Sequence, residues 1–377
     1  MSEFDLEEIT DRAGTGAPNF THGFNINGSD SGIAVFTHSV GATAPSSPSN
    51  GDTWWNTDND SYHVYIDGGW KAWLGDTYAL FSWGGDRGVV FGTSSSYNDI
   101  MYFDITGSGG NSANFGDMSL ERSTGSAGSS GSRVLMGGGY GGSANAARSD
   151  VIDYITPSST GNATDFGNLT AGRNALRATS NGTRCVFAGG YTNNQGVGHA
   201  MWTTAMDYVT IATTGNAASF GNMTALGYDL GGTGAGDASR GLFMGGIQPN
   251  NTEIDYITFD TTGNASDFGD LIDAANNRSS NCSDATRSIS FGGASGHNPS
   301  YKGIEYVTTQ TLGNGTAFGD LAQAHGSNGC SSNGTIAIAQ TGIHMEKVTI
   351  QTTGNATDFG DLLESRTGNS ASSGNPS

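Results

Sequence analysis

The phrase GNATDFGNL occupies Gly161–Leu169, and it comes back four more times. The returns are GNAASFGNM at Gly215–Met223, GNASDFGDL at Gly263–Leu271, GNGTAFGDL at Gly313–Leu321 and GNATDFGDL at Gly354–Leu362. A more diverged copy, GNSANFGDM, stands first at Gly110–Met118. The phenylalanines Phe115, Phe166, Phe220, Phe268, Phe318 and Phe359 therefore recur at intervals of 41 to 54 residues. A period of this size marks a repeat architecture, because each unit is one supersecondary element that buries its faces on its neighbours.

Two further phrases keep the same period. One is strand-like: VIDYIT at Val151–Thr156, AMDYVT at Ala205–Thr210, EIDYIT at Glu253–Thr258 and GIEYVT at Gly303–Thr308, with outer copies from Asp99 (DIMYFDI) and His344 (HMEKVT). The other begins with arginine and closes on Gly-Gly: RVLMGGG at Arg133, RCVFAGG at Arg184, RGLFMGG at Arg240 and RSISFGG at Arg287. Arg87 opens a first copy with one glycine, and TIAIAQT from Thr335 lacks both marks. Stretches of small residues, such as RATSNGT at Arg177–Thr183, lie between units. Each unit thus reads as four short strands, and four strands in about 45–50 residues predict a propeller blade. Small side chains belong on the innermost strands. Counting back five residues gives Gly128, Thr179, Ala235, Cys282 and Cys330, with the cysteines read as space-filling.

The pattern of a strand ending in Gly-Gly, a tyrosine strand and a later aromatic resembles the kelch repeat, with phenylalanine where kelch usually has tryptophan. The resemblance covers about 84–377 and implies an all-β, six-bladed kelch-like β-propeller over residues 76–377. The C-terminal RTGNSASSGNPS (Arg366–Ser377) reads as an inner strand completing the first blade, with Tyr78–Trp83 competing for that place.

Residues 1–75 do not share the repeat. TAPSSPSN at Thr43–Asn50 reads as a linker. After it comes GDTWWNTDNDSYHVYIDGGWKAWLG, Gly51–Gly75, which holds Trp54, Trp55, Trp70 and Trp73. Alternation in YHVYID and the Asp67-Gly68-Gly69 turn predict a three-stranded meander, too small to fold without further burial. This segment, residues 43–75, is similar to a small module of bacteriophage tail and fibre proteins, on Pro45, Pro48, Gly51, Asp52, Trp54, Trp55, Asn56, Thr57, Tyr65, Asp67, Gly68 and Trp70. Ile9–Ser29 looks like the N-terminal region of structural proteins of phages that infect marine cyanobacteria. The resemblance implies a virion protein made in the host cytoplasm. Residues 1–42 would attach it to other virion proteins, and the four tryptophans would form an oligomeric stem, a trimer by analogy with phage fibres.

Composition limits the function classes. Fifteen basic against thirty-five acidic residues give a net charge of −20, which disfavours nucleic acid and anionic membrane as partners. No apolar run approaches the roughly 18 residues of a membrane helix, and the acidic start is unlike a secretory signal. Cys185, Cys282 and Cys330 form neither a disulfide framework nor a zinc motif. No nucleophile elbow, P-loop, HExxH or calcium-loop motif occurs. The sequence therefore predicts no enzyme, cofactor or metal.

Two sets of repeated polar residues read as structural. Asp153, Asp207, Asp255, Glu305 and Glu346 share one third-strand position, and Arg87, Arg133, Arg184, Arg240 and Arg287 share one second-strand position. The expectation is an Arg–carboxylate fork in each unit, the alternative being a ring of charge that lines one face or the channel. The Asp or Asn after each Phe-Gly is expected to cap a turn. Ligand contact is expected instead on loops where units differ, with Tyr191, His199, Trp202, His297, Tyr301 and Lys302 as candidates for a host cell-surface glycan or protein. The functional expectation is host-surface recognition by a tail- or fibre-associated protein. Alternatives are an architectural spacer of the neck, tail or baseplate, and a glycan depolymerase.

Overall fold

The computed structural model describes residues 38–41, 43–49, 52–56, 61–66, 69–73, 84–92, 98–107, 109–141, 148–193, 200–225, 235–246, 251–272, 280–292, 301–323, 329–365 and 370–374. The chain divides into two compact units, Met1–Ala79 and Leu80–Ser377. The segment expected to attach to other virion proteins, as far as residue 37, and the stretch Tyr78–Trp83 lie outside the described residues.

The second unit is all-β and β-propeller-like, with no helix among its described residues. Six four-stranded antiparallel sheets follow the repeat. Sheet 2 is Ser126–Ser129, Val134–Gly137, Val151–Ile155 and Thr164–Asn168. Sheet 3 is Arg177–Ser180, Arg184–Ala188, Ala205–Thr210 and Ala218–Asn222. Sheet 4 is Ala235–Gly236, Arg240–Gly246, Asn251–Thr258 and Ser266–Asp270. Sheet 5 is Ser280–Ser283, Arg287–Phe291, Gly303–Thr308 and Thr316–Asp320. Sheet 6 is Cys330–Ser332, Ile336–Thr341, His344–Thr349 and Thr357–Asp361. Sheet 1 takes its innermost strand from the other end of the chain: Ser370–Gly374 pairs antiparallel with Arg87–Phe91, followed by Asp99–Asp104 and Ala113–Asp117.

The apolar core is divided among the seams between sheets. Val89, Phe91 and Phe115 of sheet 1 pack on Ala127, Val134 and Met136 of sheet 2. Equivalent clusters fill the next four seams. In the last, Ile338, Met345 and Phe359 of sheet 6 pack on Val90, Met101 and Phe103 of sheet 1. The innermost strands are also tied across seams. Thr179 Oγ1 donates to Ala235 O, Ser332 Oγ to Ser283 O, and Ser331 Oγ to Ser372 O.

The repeated phrase has a defined mechanical role. In all six sheets the register shifts where the third strand meets the fourth, and the phenylalanine is the extra, bulged residue. Bulging turns it inward, where it is 3–4% exposed. In sheets 1 to 5 its ring meets the third-strand tyrosine edge to face, at centroid distances of 5.8–6.2 Å. The next residue is glycine because the following sheet lies directly against it. At Gly269 (φ 146°) an added Cβ would strike the Gly313 carbonyl oxygen.

Two expectations need correction. The N-terminal sheet has four strands, His38–Gly41, Thr53–Asn56, Ser61–Ile66 and Gly69–Trp73, where a three-stranded meander was expected. The added strand pairs parallel with Thr53–Asn56. A parallel pair requires a crossover, and the Pro45 and Pro48 stretch supplies it. In sheet 6, Ile336 pairs with Thr349 as Arg287 pairs with Thr308. Ile336, and not Thr335, therefore takes the arginine's place. Ser331, and not Cys330, becomes the equivalent of Cys282, since Ser331 pairs with Ile338 as Cys282 pairs with Ile289.

Replacing Gly269 with alanine is expected to lower stability by about 2 kcal/mol or more, through strain at positive φ and collision across the seam. At Gly110 a Cβ meets open space. Gly110→Ala should cost less than about 1 kcal/mol, with both variants measured by urea denaturation.

Candidate functional site

The recurring polar residues of the repeat are engaged in joining sheets. The second-strand arginines do not fork with the third-strand acids. Each instead lies over the tyrosine of its own sheet, with the guanidinium carbon 4.5–5.1 Å from the ring centroid. Each also donates to a backbone carbonyl of the next sheet's outer turn: Arg87 to Pro157, Arg133 to Ile211 and Ala212, Arg184 to Phe259, Arg240 to Thr309, and Arg287 to Ile350. A buried carboxylate next to each arginine is unnecessary, because the tyrosine face and the carbonyls already receive the cation.

The acids reach the other way, to the loop that follows Phe-Gly-Asp/Asn in the preceding sheet. Asp153 accepts from Ser119 N at 3.1 Å and Ser119 Oγ at 2.6 Å. Asp207 accepts the same pair of bonds from Thr170, and Asp255 from Thr224. Where the hydroxyl is missing, the acid is longer. Glu305 accepts from Ile272 N and Glu346 from Ala322 N, each at 2.7 Å. Where Met101 displaces the acid, Ser112 Oγ accepts from Leu363 N at 2.8 Å. Burial pushes the Asp255 carboxyl up, against the stabilising bonds from Thr224.

The Asp or Asn of the phrase does not cap its own turn through its side chain. Its amide is capped from the next sheet, by the asparagine of Gly-Asn. Asp117, Asn168, Asn222, Asp270 and Asp320 donate from N to Oδ1 of Asn162, Asn216, Asn264, Asn314 and Asn355, each at 3.1 Å. Asp361 donates to Asn111 at 3.0 Å, joining sheet 6 to sheet 1.

A second set of aromatic residues stands where units 2 and 3 carry extra strands. Arg122–Ser123 pairs with Tyr140–Gly141. Arg173–Asn174 pairs with Tyr191–Asn193, which pairs with Ala200–Trp202. The register sets Tyr191 opposite Trp202, and their rings pack together. The Arg148 guanidinium lies between Tyr140 and Tyr191, 5.9 and 5.5 Å from their ring centroids. Met201, the residue before Trp202 on the same strand, is exposed. The result is a surface of three aromatic rings and one cation spanning two units.

This surface rests on two buried ion pairs. Arg122 Nη2 meets Asp153 at 3.1 Å, and Arg173 Nη2 meets Asp207 at 2.5 Å. Arg122 also donates to Met136 O, and Arg173 to Gly189 O and Ala205 O. Burial lowers the pKa of both guanidiniums, and Asp153 and Asp207 oppose it. Such pairs fix geometry more than they add net stability. Each arginine stands seven residues after its Phe, so the offset was visible in the sequence. The six units do not all share it, so the repeat did not single it out.

The other candidates are placed differently. Tyr301 donates at 2.7 Å to Glu305 Oε1, the acid that joins sheet 5 to sheet 4, and Lys302 Nζ donates at 2.6 Å to Ala322 O in the loop held by Glu346 of sheet 6, so both buttress joints between sheets. His199 and His297 lie outside the described residues. In the N-terminal sheet, buried Trp54 donates from Nε1 to Gly41 O at 2.8 Å and packs on His63. Trp55, Trp70 and Trp73 occupy strand positions there, and their side chains lie outside the description. Among the described residues no group of three or more His, Cys, Asp or Glu could hold a metal ion. No protein-family model matches the sequence, and no curated protein matches it.

The pairing of acid length with hydroxyl yields a test. Glu305→Asp should strand the Ile272 amide and cost about 1–2 kcal/mol in urea denaturation. Ile272→Thr alone should be near neutral, since Ile272 is exposed. Added to Glu305→Asp it should recover most of the loss, a coupling of more than about 0.5 kcal/mol.

Proposed function

We propose that this chain is a bacteriophage virion protein, tail- or fibre-associated, that displays a six-bladed kelch-like β-propeller for host-surface recognition. Six seams, the last joining sheet 6 to sheet 1, support the six-bladed reading. The resemblance of residues 43–75 to phage fibre modules supports the virion setting. In this reading the N-terminal region binds other virion proteins, and the tryptophan-bearing sheet contributes to a homotrimeric stem.

The observation that carries the recognition role is the Tyr140, Arg148, Tyr191 and Trp202 surface. It is built on strands that units 2 and 3 add to their four-stranded sheets. Aromatic faces stack on the apolar faces of sugar rings, and a guanidinium beside them selects carboxylate- or sulfate-bearing glycans. An architectural spacer would have no use for such a surface. A depolymerase would need an acid and a base flanking a bound sugar, and the acids beneath this one are sealed under Arg122 and Arg173.

The test uses fluorescently labelled full-length chain and intact cyanobacterial cells. Saturable adhesion that competes with phage adsorption is expected. Tyr191→Ala with Trp202→Ala should weaken it at least about tenfold without moving the unfolding midpoint of the repeat unit. Folded protein that does not adhere would favour the spacer, and release of reducing sugar would favour the depolymerase.

A further inference from the structure

Cys282 and Cys330 sit on neighbouring innermost strands, Ser280–Ser283 of sheet 5 and Cys330–Ser332 of sheet 6. Equivalent positions on successive sheets point the same way around the repeat. Thr179, the equivalent of Cys282 in sheet 3, reaches forward to Ala235 of sheet 4. Cys330 is one residue out of that register. In a strand, one residue reverses the face. Cys330 therefore points back across the seam as Cys282 points forward.

The two sulfurs meet. Their Sγ atoms lie 2.7 Å apart, closer than two non-bonded sulfurs rest. Both residues are buried, in the apolar cluster of the seam between sheets 5 and 6. At the matching places of other seams stand Gly128 with Ala178, Ser331 with Ala371, and Ser372 with Ala127, none of which can bond covalently. Cys185, the third thiol, is also buried, and Gly128 opposite it offers no sulfur.

We propose that Cys282 and Cys330 form a disulfide that staples sheet 5 to sheet 6. The thiols are free in this structure, and the strand pairing is complete without the bond. The oxidant is a small-molecule disulfide of the glutathione type. One cysteine thiolate attacks a sulfur of oxidised glutathione and expels one glutathione thiolate. The second cysteine thiolate then attacks the mixed disulfide and expels the other. Two electrons pass to glutathione, and two protons leave the cysteines. Burial, with Cys282 beside it, pushes the Cys330 thiol up, so exchange is slow while the seam is closed. The bond forms as the chain folds or as the seam opens. It closes a loop of 48 residues, about one repeat unit, which restricts the unfolded chain.

The test refolds the full-length chain with oxidised glutathione, and in parallel with dithiothreitol. Free thiols are then alkylated in denaturant, and the protein is digested with trypsin. The expected product under oxidation is Ser279–Arg287 linked to Gly303–Lys347, two hydrogens lighter than the separate peptides, with Cys185 alkylated. The oxidised protein should unfold on the order of 5 °C above the reduced one, and Cys330→Ala should abolish the difference. Three alkylated cysteines after oxidation, or links that use Cys185 as often as Cys330, would overturn the proposal. The peptide analysis is made on the unmutated chain, so it stands even if Cys330→Ala does not fold.

Discussion

The amide of the residue after Phe-Gly donates to an asparagine side chain on the next sheet, and the rest of the repeat unit depends on that bond. It is made six times, at 3.0–3.1 Å. It requires the backbone of one sheet to touch the backbone of the next, which is why the phrase carries Phe-Gly on one side and Gly-Asn on the other. The close approach brings the bulge, the bulge buries the phenylalanine, and the phenylalanine supports the tyrosine on which the arginine lies. The arginine then reaches the next sheet's outer turn. Packing inside one unit and attachment between units are thus one arrangement.

The departures from the repeat obey the same constraint. Met101 cannot accept a hydrogen bond as an acid does, and Ser112 accepts from Leu363 N in its place. In sheet 6 Ile336 and Lys347 stand where other sheets have arginine and tyrosine, and Lys347 Nζ lies 5.6 Å from the Phe359 ring centroid. Phe359 meets Phe103 of sheet 1, an aromatic contact across the seam in place of one within the sheet. Aspartate occurs where a hydroxyl follows the phrase, and glutamate where it does not. Each seam keeps its amide satisfied, because an unpartnered buried amide is costly.

Much of the repeat unit was legible because strand periodicity and turn chemistry are local. The four strands, the small inner residues and the shared position of the acids could all be read along the chain. What could not be read was which group faces which. Arg87 and its equivalents sit near the acids in sequence pattern, yet each acid pairs with the residue three after the arginine, and strand alternation sends the two to opposite seams. The sixth unit lost its arginine and Gly-Gly, so nothing in the string marked its one-residue offset. His38–Gly41 is short, and its partner lies across a proline-bearing crossover, so alternation did not reveal it. Tyr191 and Trp202 were chosen for residue type on a variable loop, and the structure brings them together. Tyr301 and Lys302 were chosen the same way, and they serve joints between sheets. No pattern in the sequence marks Arg148 and Tyr140, because a cation between two rings has no fixed spacing.

In the proposed reading, the added strands of units 2 and 3 can vary in what they recognise while the six amide–asparagine bonds stay the same. That account depends on the sixth seam being as firm as the other five. Hydrogen exchange of the full-length chain, followed at the amides of Asp117, Asn168, Asn222, Asp270, Asp320 and Asp361, measures this most directly. The account predicts that Asp361 is protected to within about tenfold of the other five. Exchange of Asp361 at the rate of an open loop, with the others protected, would contradict it.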